Sequence, residues 1–431
     1  MFHLMLVYLA LVLIRPQDYP AVAESPGPPL QAIVLAMASG MWAVSTRKSF
    51  AAPQYLLVVA FLVVAMISKI TNGWVGGALY VFLAFAPTVM TYVILANAVD
   101  TRARLETVMA LITICAAVLA LHGVEQKLTG IGWTGEGLSQ GTRIQYVGIF
   151  NDPNDLGLLF VMCVPMAFYL GSRGGMMGLR RTFWLTLAGL LIYGCYLTNS
   201  RGTMLALLMM LAVYTWKRYG AITAVALASA AFLGLMALPS RMQELDVSEA
   251  SAMGRVEAWY EGVRMFMAHP LFGIGAGGYS DHNDLTAHNS FVLVLAEMGF
   301  IGFTIFLAIV VYCFWMTLAP IRHGDEIIVD VPLEVPDDLA IKQWRIDRAL
   351  TLSLLLSLSG FFTSAFFLSR SYVVILYVLV ALVVANYSRL RKEYPSLPEF
   401  SLARDMLRWL VYGVIGVIGT IVMVKVLLAV A

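Results

Sequence analysis

The stretch from Gly254 to Asn289 reads GRVEAWYEGVRMFMAHPLFGIGAGGYSDHNDLTAHN. It holds two arginines, three of the six histidines and a glycine-rich turn, and the run from Ser290 to Thr317 that follows it is almost entirely apolar. A long polar loop between apolar runs is where a membrane-embedded enzyme would place its chemistry. The contrast predicts that membrane-spanning helices carry this loop and that the loop carries the function.

The composition of the whole chain supports a membrane protein. Of 431 residues, 60% are hydrophobic and 13% are charged, whereas soluble proteins average about half apolar and a quarter charged. The mean hydropathy is +0.81. The net charge of +2 gives no indication of a nucleic-acid partner. All four cysteines lie in apolar runs, so we expect small core residues rather than a disulfide framework or a metal site.

Thirteen apolar runs divide the chain. A spanning helix needs about 20 residues, with tolerance for shorter cores. The runs predict an all-α polytopic membrane protein with about twelve transmembrane helices, or thirteen if the run 407–430 spans fully. The first run lacks a charged n-region and a cleavage site, so we expect a span rather than a cleaved signal. The runs are 1–14, 28–45, 53–68, 78–99, 105–122, 156–170, 182–198, 202–216, 219–238, 289–319, 349–368, 371–388 and 407–430.

Basic residues on alternate loops predict the orientation. The positive-inside rule makes these loops cytoplasmic. The loops 123–155 and 239–288 then face outward, to the periplasm of a Gram-negative cell. We expect residues 1–238 to form N-terminal transmembrane helices, 239–288 a periplasmic loop domain and 289–431 the C-terminal helices. The basic residues are Arg47, Lys48, Arg102, Arg104, Arg173, Arg180, Arg181, Lys217, Arg218, Arg345, Arg348, Arg389, Arg391 and Lys392.

The first outward loop offers two candidate features. Asn151-Asp152-Pro153-Asn154-Asp155 opens the next apolar run. Asn and Asp cap helix starts and Pro suits the first turn, so capping is the main interpretation and a substrate cleft is the alternative. Arg143 has Glu136, seven residues away, as a nearby acid. It is a candidate anion-binding residue, with simple solvation as the alternative.

Arg201 follows Asn199-Ser200 in a short link between two apolar runs. This places it at the membrane boundary, where an ionisable side chain is costly unless paired or wetted and is therefore functional by default. The amides at a helix start also attract anions. The alternative is an interface anchor whose charge reaches the water.

Residues 249–268 have helical spacing, and their two arginines lie on different faces. Arg255 shares a stripe with Trp259 and has no local counter-ion, which favours binding of an external anion. Arg264 lies near Glu257 and Glu261, which favours a structural ion pair. His269-Pro270 should end this helix.

The remainder of the loop contains the other candidates. The turn from Gly273 to Gly278 lacks the Lys-Ser/Thr ending of a P-loop and permits close backbone approach. His288 precedes the next span, where a neutral imidazole would accept a proton from an attacking hydroxyl. Backbone capping is the alternative for His288. A metal site is a further alternative, although the spacing is not a tight zinc pattern. Its ligands would be Asp281, His282, Asp284 and His288.

These motifs resemble the O-antigen ligase superfamily of bacterial membrane glycosyltransferases. The resemblance covers the topology of the whole chain, and its specific motifs lie between about 143 and 300. They do not separate lipopolysaccharide O-antigen ligases from O-antigen polymerases and protein O-oligosaccharyltransferases. The matching features are Gly254-Arg255 with Trp259, His269-Pro270-Leu-Phe-Gly-Ile-Gly275, His288-Asn289-Ser290, Asn199-Ser200-Arg201-Gly202 and Phe150-Asn-Asp-Pro-Asn154.

The resemblance implies a GT-C-like fold, an undecaprenyl diphosphate-linked glycan as donor and lipid A-core as acceptor. It also implies the bacterial inner membrane, an active site facing the periplasm, membrane lipids as surroundings, and no cofactor or metal. Asp281 and Asp284 make the histidine loop more acidic than is usual in the family, which leaves a metal-bound variant open. It assigns diphosphate binding to Arg143, Arg201 and Arg255, catalysis to His288, and further substrate contacts to Asn154, Arg264 and His282.

Three functions follow from these features. The first is ligation of O-antigen to lipid A-core. The second is glycan polymerisation or protein glycosylation by the same chemistry. The third is polysaccharide transport, which is disfavoured because charged residues collect at one outer face rather than within the spans.

Overall fold

The computed structural model describes residues 1–23, 27–46, 48–173, 178–236, 245–324 and 337–430. The described residues form fifteen α-helices, and their only strand-like pairing is two isolated bridges between residues 131 and 143. In chain order the helices are α1 (Phe2–Ile14), α2 (Pro20–Ala23), α3 (Leu30–Ala43), α4 (Gln54–Thr71), α5 (Val75–Ala98), α6 (Arg102–Thr129), α7 (Pro153–Ser172), α8 (Leu179–Leu197), α9 (Arg201–Tyr219), α10 (Ala221–Met236), α11 (Leu245–Ala268), α12 (Ser290–Arg322), α13 (Asp337–Ala365), α14 (Val374–Glu393) and α15 (Leu402–Val430).

Each predicted apolar run overlaps one of these helices, and residues 237–238 of the run 219–238 lie outside the described residues. The all-α class is therefore confirmed for the described residues, and it is consistent with a polytopic membrane protein. Among the described residues, eight helices are long and apolar enough to cross a membrane, namely α4 to α7 and α12 to α15. The predicted number of about twelve is therefore not confirmed. The helices α1 and α3 have only 13 and 14 residues, and α8 and α9 each carry two basic residues near one end. The C-terminal helix, by contrast, is long enough for a full span.

The core of the bundle contains α7 and α14. Their apolar windows are 89% and 83% buried, whereas that of α15 is 17% buried. Helix α7 packs against α8 and α13, and α14 packs against α5. The four cysteines are buried and unpaired, as the sequence predicts. The centre of the bundle is therefore formed mainly by apolar side chains of α7 and α14.

Helix α12 is broken near its start, at Gly299, which has φ 62° and ψ −160°. The glycine-rich segment 270–278 fills the break. The amides of Ile274 and Gly275 donate to the carbonyls of Ala296 and Glu297 at 3.0 and 2.9 Å, and the Phe300 amide donates to the Pro270 carbonyl at 2.8 Å. Backbone polar groups within a membrane must be satisfied by protein. The sequence did not predict this break, because 289–319 is almost entirely apolar.

The buried side chain of Glu297 stabilises the same junction through hydrogen bonds. It is 2% exposed and accepts hydrogen bonds from the Tyr279 amide at 3.2 Å and the Tyr372 hydroxyl at 2.8 Å. The first partner directly follows the glycine-rich segment, and the second lies in the loop between α13 and α14. One buried carboxylate thus joins two loops that approach the site.

Four connecting segments meet at one end of the bundle, which we call the loop end: 130–152, 198–200, 269–289 and 366–373. Hydrogen bonds connect Arg143 to the Thr198 carbonyl and Thr286 to Ser369. The opposite end holds a buried ion pair between Arg389 and Asp347. The candidate site lies at the loop end.

Candidate functional site

Helix α11 contributes Arg255 and has the two faces that its spacing predicts. It ends at Ala268, immediately before His269-Pro270. Trp259 is 4% exposed and packs edge-to-face on Phe366, with ring centroids 5.6 Å apart. Glu257 and Arg264 are exposed. Arg255 is half-buried on the Trp259 side of the helix, so its guanidinium faces the bundle.

Arg201 is the first residue of α9. The Ser200 side chain caps this helix by accepting from the Thr203 amide at 3.3 Å. Arg255 lies close enough to Arg201 for their charges to interact: burial lowers the pKa of Arg255, the Arg201 charge lowers it further, and Asp152 opposes both effects. Two cations held together in a half-buried site form a strong attraction for an anion.

His288 faces these arginines from the start of α12. Its backbone is in the left-handed region with φ 46°, and the following residue, Asn289, caps α12 by accepting from the Phe291 and Val292 amides. Burial lowers the pKa of His288, and Arg255 and Arg370 lower it further, whereas Asp152 raises it. Among the described residues, no group forms a hydrogen bond with the imidazole. A neutral imidazole is therefore available to a ligand.

Arg143 joins two of the segments. Its Nε donates to the Thr198 carbonyl at 3.0 Å, and its Nη2 donates to Asn154 Oδ1 at 3.0 Å. Asp152 is the N-cap of α7, as the capping interpretation predicts, and its Oδ1 accepts from Asn154 Nδ2 at 2.8 Å. The sequence suggested a lone arginine, but its neighbours come from distant parts of the chain.

The structure thus brings Arg201, Arg255 and His288 together near Asp152, with Arg143 and Asn154 beside them. It does not bring Arg264 or His282 to the same place. Arg264 is 59% exposed and pairs with Glu261 at 3.0 Å. His282 is exposed, with Nδ1 2.9 Å from the Gly278 carbonyl. Within the described ranges, no group of three His, Cys, Asp or Glu side chains is placed to hold a metal ion.

Two residues near the site, Arg370 and Asp152, were not among the candidate site residues that the sequence indicated. Arg370 lies between α13 and α14 and donates two hydrogen bonds to Asp155, one of them 2.6 Å long. Its Nη2 lies 4.0 Å from Asp152 Oδ2. The signal was present, because Arg370, like Arg201, is a single cation between two apolar runs. The sequence favoured a helix cap for Asp152, with a substrate cleft as the alternative, and its carboxylate also interacts with His288 and Arg255.

An apolar groove opens beside this site. Its volume is about 720 Å³, and its lining comes from α9, α10, α12 and α13. Phe366 lines the groove and also packs on Trp259. Leu205, another lining residue, lies one helical turn after Arg201. The groove therefore lies within one helical turn of Arg201 and shares Phe366 with the buried face of α11.

The helices are those of a multi-pass membrane protein that gathers several cations and a histidine beside an apolar groove. Residues 186–307 match the family model described as O-antigen ligase. The match supports the resemblance to the O-antigen ligase superfamily, and it shows similarity to that family over these residues. The matched segment includes Arg201, Arg255 and His288, whereas Arg143, Asp152 and Arg370 lie outside it. No curated protein matches the chain.

Proposed function

We propose that this protein is an inverting, metal-independent glycosyltransferase of the bacterial inner membrane. It ligates O-antigen polysaccharide from undecaprenyl diphosphate onto lipid A-core at a site facing the periplasm. The observation that carries the proposal is the convergence of Arg201, Arg255 and His288 from three separate segments. The O-antigen ligase domain supports the general class of reaction.

The residues suggest a single displacement. His288 accepts the proton of the acceptor hydroxyl, whose oxygen attacks the anomeric carbon from the face opposite the diphosphate. The bond from that carbon to the diphosphate oxygen breaks, and the lipid diphosphate leaves with the electron pair. Arg201 and Arg255, with Arg143 beside them, stabilise the charge that accumulates on the leaving group. One displacement inverts the anomeric centre.

Two further features support this assignment. The lowered pKa of His288 keeps the imidazole neutral over more of the pH range, as a general base requires. The groove beside Arg201 is lined by apolar residues such as Leu205, Met209 and Phe366. A polyprenyl chain in this groove would bring its diphosphate to the arginines.

The test is transfer in vitro from a glycan on undecaprenyl diphosphate to purified lipid A-core, with and without a chelator. We expect glycosylated lipid A-core in both cases, with inverted anomeric configuration. Activity that disappears with chelator and returns with a divalent cation would contradict the metal-independent mechanism. Failure of lipid A-core as acceptor would contradict ligation.

The alternative functions share this chemistry but differ in acceptor. A polymerase would extend a second lipid-linked glycan, and a protein O-oligosaccharyltransferase would modify a pilin-like protein. Supplying each acceptor to the same preparation distinguishes the three enzymes. Uptake of labelled polysaccharide into vesicles without transfer would instead indicate a transporter.

A further inference from the structure

We propose that Arg370 is a positioning residue of the transfer site, holding the segment that carries His288 against the first turn of α7. The reaction it serves rests on the proposed function. The contacts that carry the proposal are those of residues 366–373, which we call the Arg370 loop.

The Arg370 loop is hydrogen-bonded to both sides of His288. Before His288, Thr286 Oγ1 donates to Ser369 Oγ at 2.9 Å. After His288, Ser290 takes part in three hydrogen bonds with this loop. These are Ser290 Oγ to the Leu368 carbonyl at 2.6 Å, the Arg370 amide to Ser290 Oγ at 2.9 Å, and Ser371 Oγ to the Ser290 carbonyl at 2.8 Å.

The Arg370 side chain then connects this loop to α7. Its Nε and Nη2 donate to the two carboxylate oxygens of Asp155, and its Nη1 donates to the Ser369 carbonyl at 3.0 Å. Asp155 lies in the first turn of α7 and is 12% exposed. Every guanidinium nitrogen therefore has a protein acceptor, which indicates positioning rather than primary binding of substrate.

The geometry of His288 gives this connection its importance. A histidine with φ 46° is in a sparsely populated backbone conformation that persists only when its surroundings impose it. The Arg370 loop supplies those surroundings, and Asp155 holds the loop in place. Misplacement of a catalytic group by about 1 Å can lower a rate about 100-fold.

A second arginine–aspartate pair provides a control away from the site. Arg102 Nε and Nη2 lie 3.0 and 3.3 Å from the two oxygens of Asp347. The exposed fractions of the two side chains are 22% and 0%, against 24% and 12% for Arg370 and Asp155. This pair lies at the opposite end of the bundle, away from His288. Asp347 also pairs with Arg389 at 2.7 Å, so R102Q removes a buried arginine–carboxylate contact but leaves the carboxylate a second partner.

The experiment compares R370Q, R370K, D155N and R102Q in the purified full-length protein. We expect R370Q and D155N to lower kcat by about 10- to 100-fold, with little change in the KM for the glycan donor or the KM for the acceptor. R370K keeps the charge, but a lysine cannot bind both Asp155 oxygens as the planar guanidinium does. Its kcat should therefore lie between those of the wild type and R370Q. R102Q should lower only thermal stability. A kcat for R370Q and D155N equal to that of R102Q would overturn the proposal.

The pH profile separates position from charge. The charges that act on His288 come from Arg255 on α11, Asp152 at the start of α7 and Arg370. R370Q removes one cation, which raises the pKa of His288 and moves the acid limb of kcat/KM to higher pH. D155N keeps that cation, so its acid limb should not move upward. An unmoved limb in R370Q would contradict the placement of Arg370 beside His288.

Amide exchange measured by mass spectrometry tests positioning without any reaction. We expect amides in residues 282–295 to exchange about tenfold faster in R370Q and D155N and at the wild-type rate in R102Q. If the wild type fails to modify lipid A-core but this exchange pattern is found, the proposed function fails and the positioning contact stands. Equal exchange in R370Q and R102Q overturns the contact even if transfer occurs.

Discussion

Gly273 and Gly299 each lie against the backbone of the other's segment where the glycine-rich segment enters the break in α12. A Cβ on Gly273 would lie 2.3 Å from the Glu297 carbonyl carbon, and one on Gly299 would lie 2.4 Å from the Leu271 carbonyl carbon. Both residues also have positive φ. Neither position accepts a side chain, so this crossing depends on two glycines 26 positions apart.

We predict that Gly273→Ala lowers the free energy of unfolding by at least about 3 kcal/mol, since a strained φ costs about 1–3 kcal/mol and the clash adds to it. The measurement is thermal unfolding in detergent. Gly277→Ala is the control, because Gly277 has φ 73° but nothing within 4 Å of its added Cβ. Equal effects of the two substitutions would show that the clash is relieved without cost.

We predict that His288→Ala and Arg201→Ala each abolish glycan transfer while the protein still inserts in the membrane. Loss of a general base alone lowers a rate about 100- to 10,000-fold. Arg255→Lys should also reduce transfer, because lysine keeps the charge and loses the two-pronged donor geometry. Transfer is measured in vitro, and insertion by the amount of protein in washed membranes. Normal lipopolysaccharide ladders from His288→Ala or Arg201→Ala cells would contradict the assigned functions.

We predict that Asp152→Asn moves the acid limb of kcat/KM to lower pH. Asp152 raises the pKa of His288, so its removal lowers that pKa. The neutral imidazole, which is the active base, then persists to lower pH. The measurement is kcat/KM across pH. Glu257→Gln is the control, since Glu257 lies on the exposed face of α11. A shift to higher pH in Asp152→Asn would mean that another group limits the rate.

We predict that Ala212→Trp raises the KM for a long-chain donor by about tenfold or more, because the indole fills part of the apolar groove. A donor with a short lipid chain should be affected much less. Ile192→Trp is the control, since Ile192 is a 40% exposed apolar residue on α8 outside the groove lining. If both donors lose affinity equally, the groove does not hold the lipid chain.

Local patterns predicted the helices well. Apolar runs located them, Asp152-Pro153 correctly indicated the start of α7, and Pro270 the end of α11. The stripe through Arg255 and Trp259 predicted which face of α11 is buried. In each case the physical cause acts within a few residues of the chain, so the sequence contains it directly.

Non-local contacts were not predictable in this way. The partners of Arg370 lie 215 positions away at Asp155, and the Arg143 guanidinium reaches the Thr198 carbonyl 55 positions away. The break at Gly299 lies in a run that is almost entirely apolar. Another segment supplies the hydrogen bonds that the helix loses there, so the run itself does not indicate the break. Such features depend on how helices pack, and no single stretch of sequence records them.

The hydrogen bonds across the break in α12 also constrain which segments can be exchanged between related proteins. The polar loop and the helix share one hydrogen-bonded backbone from Pro270 to Ile301. A chimera that replaces the loop and keeps the resident helix would separate donors from their acceptors inside the membrane. Junctions placed before Pro270 and after Ile301 would transfer the entire unit, so attempts to change acceptor preference should treat loop and helix as one module.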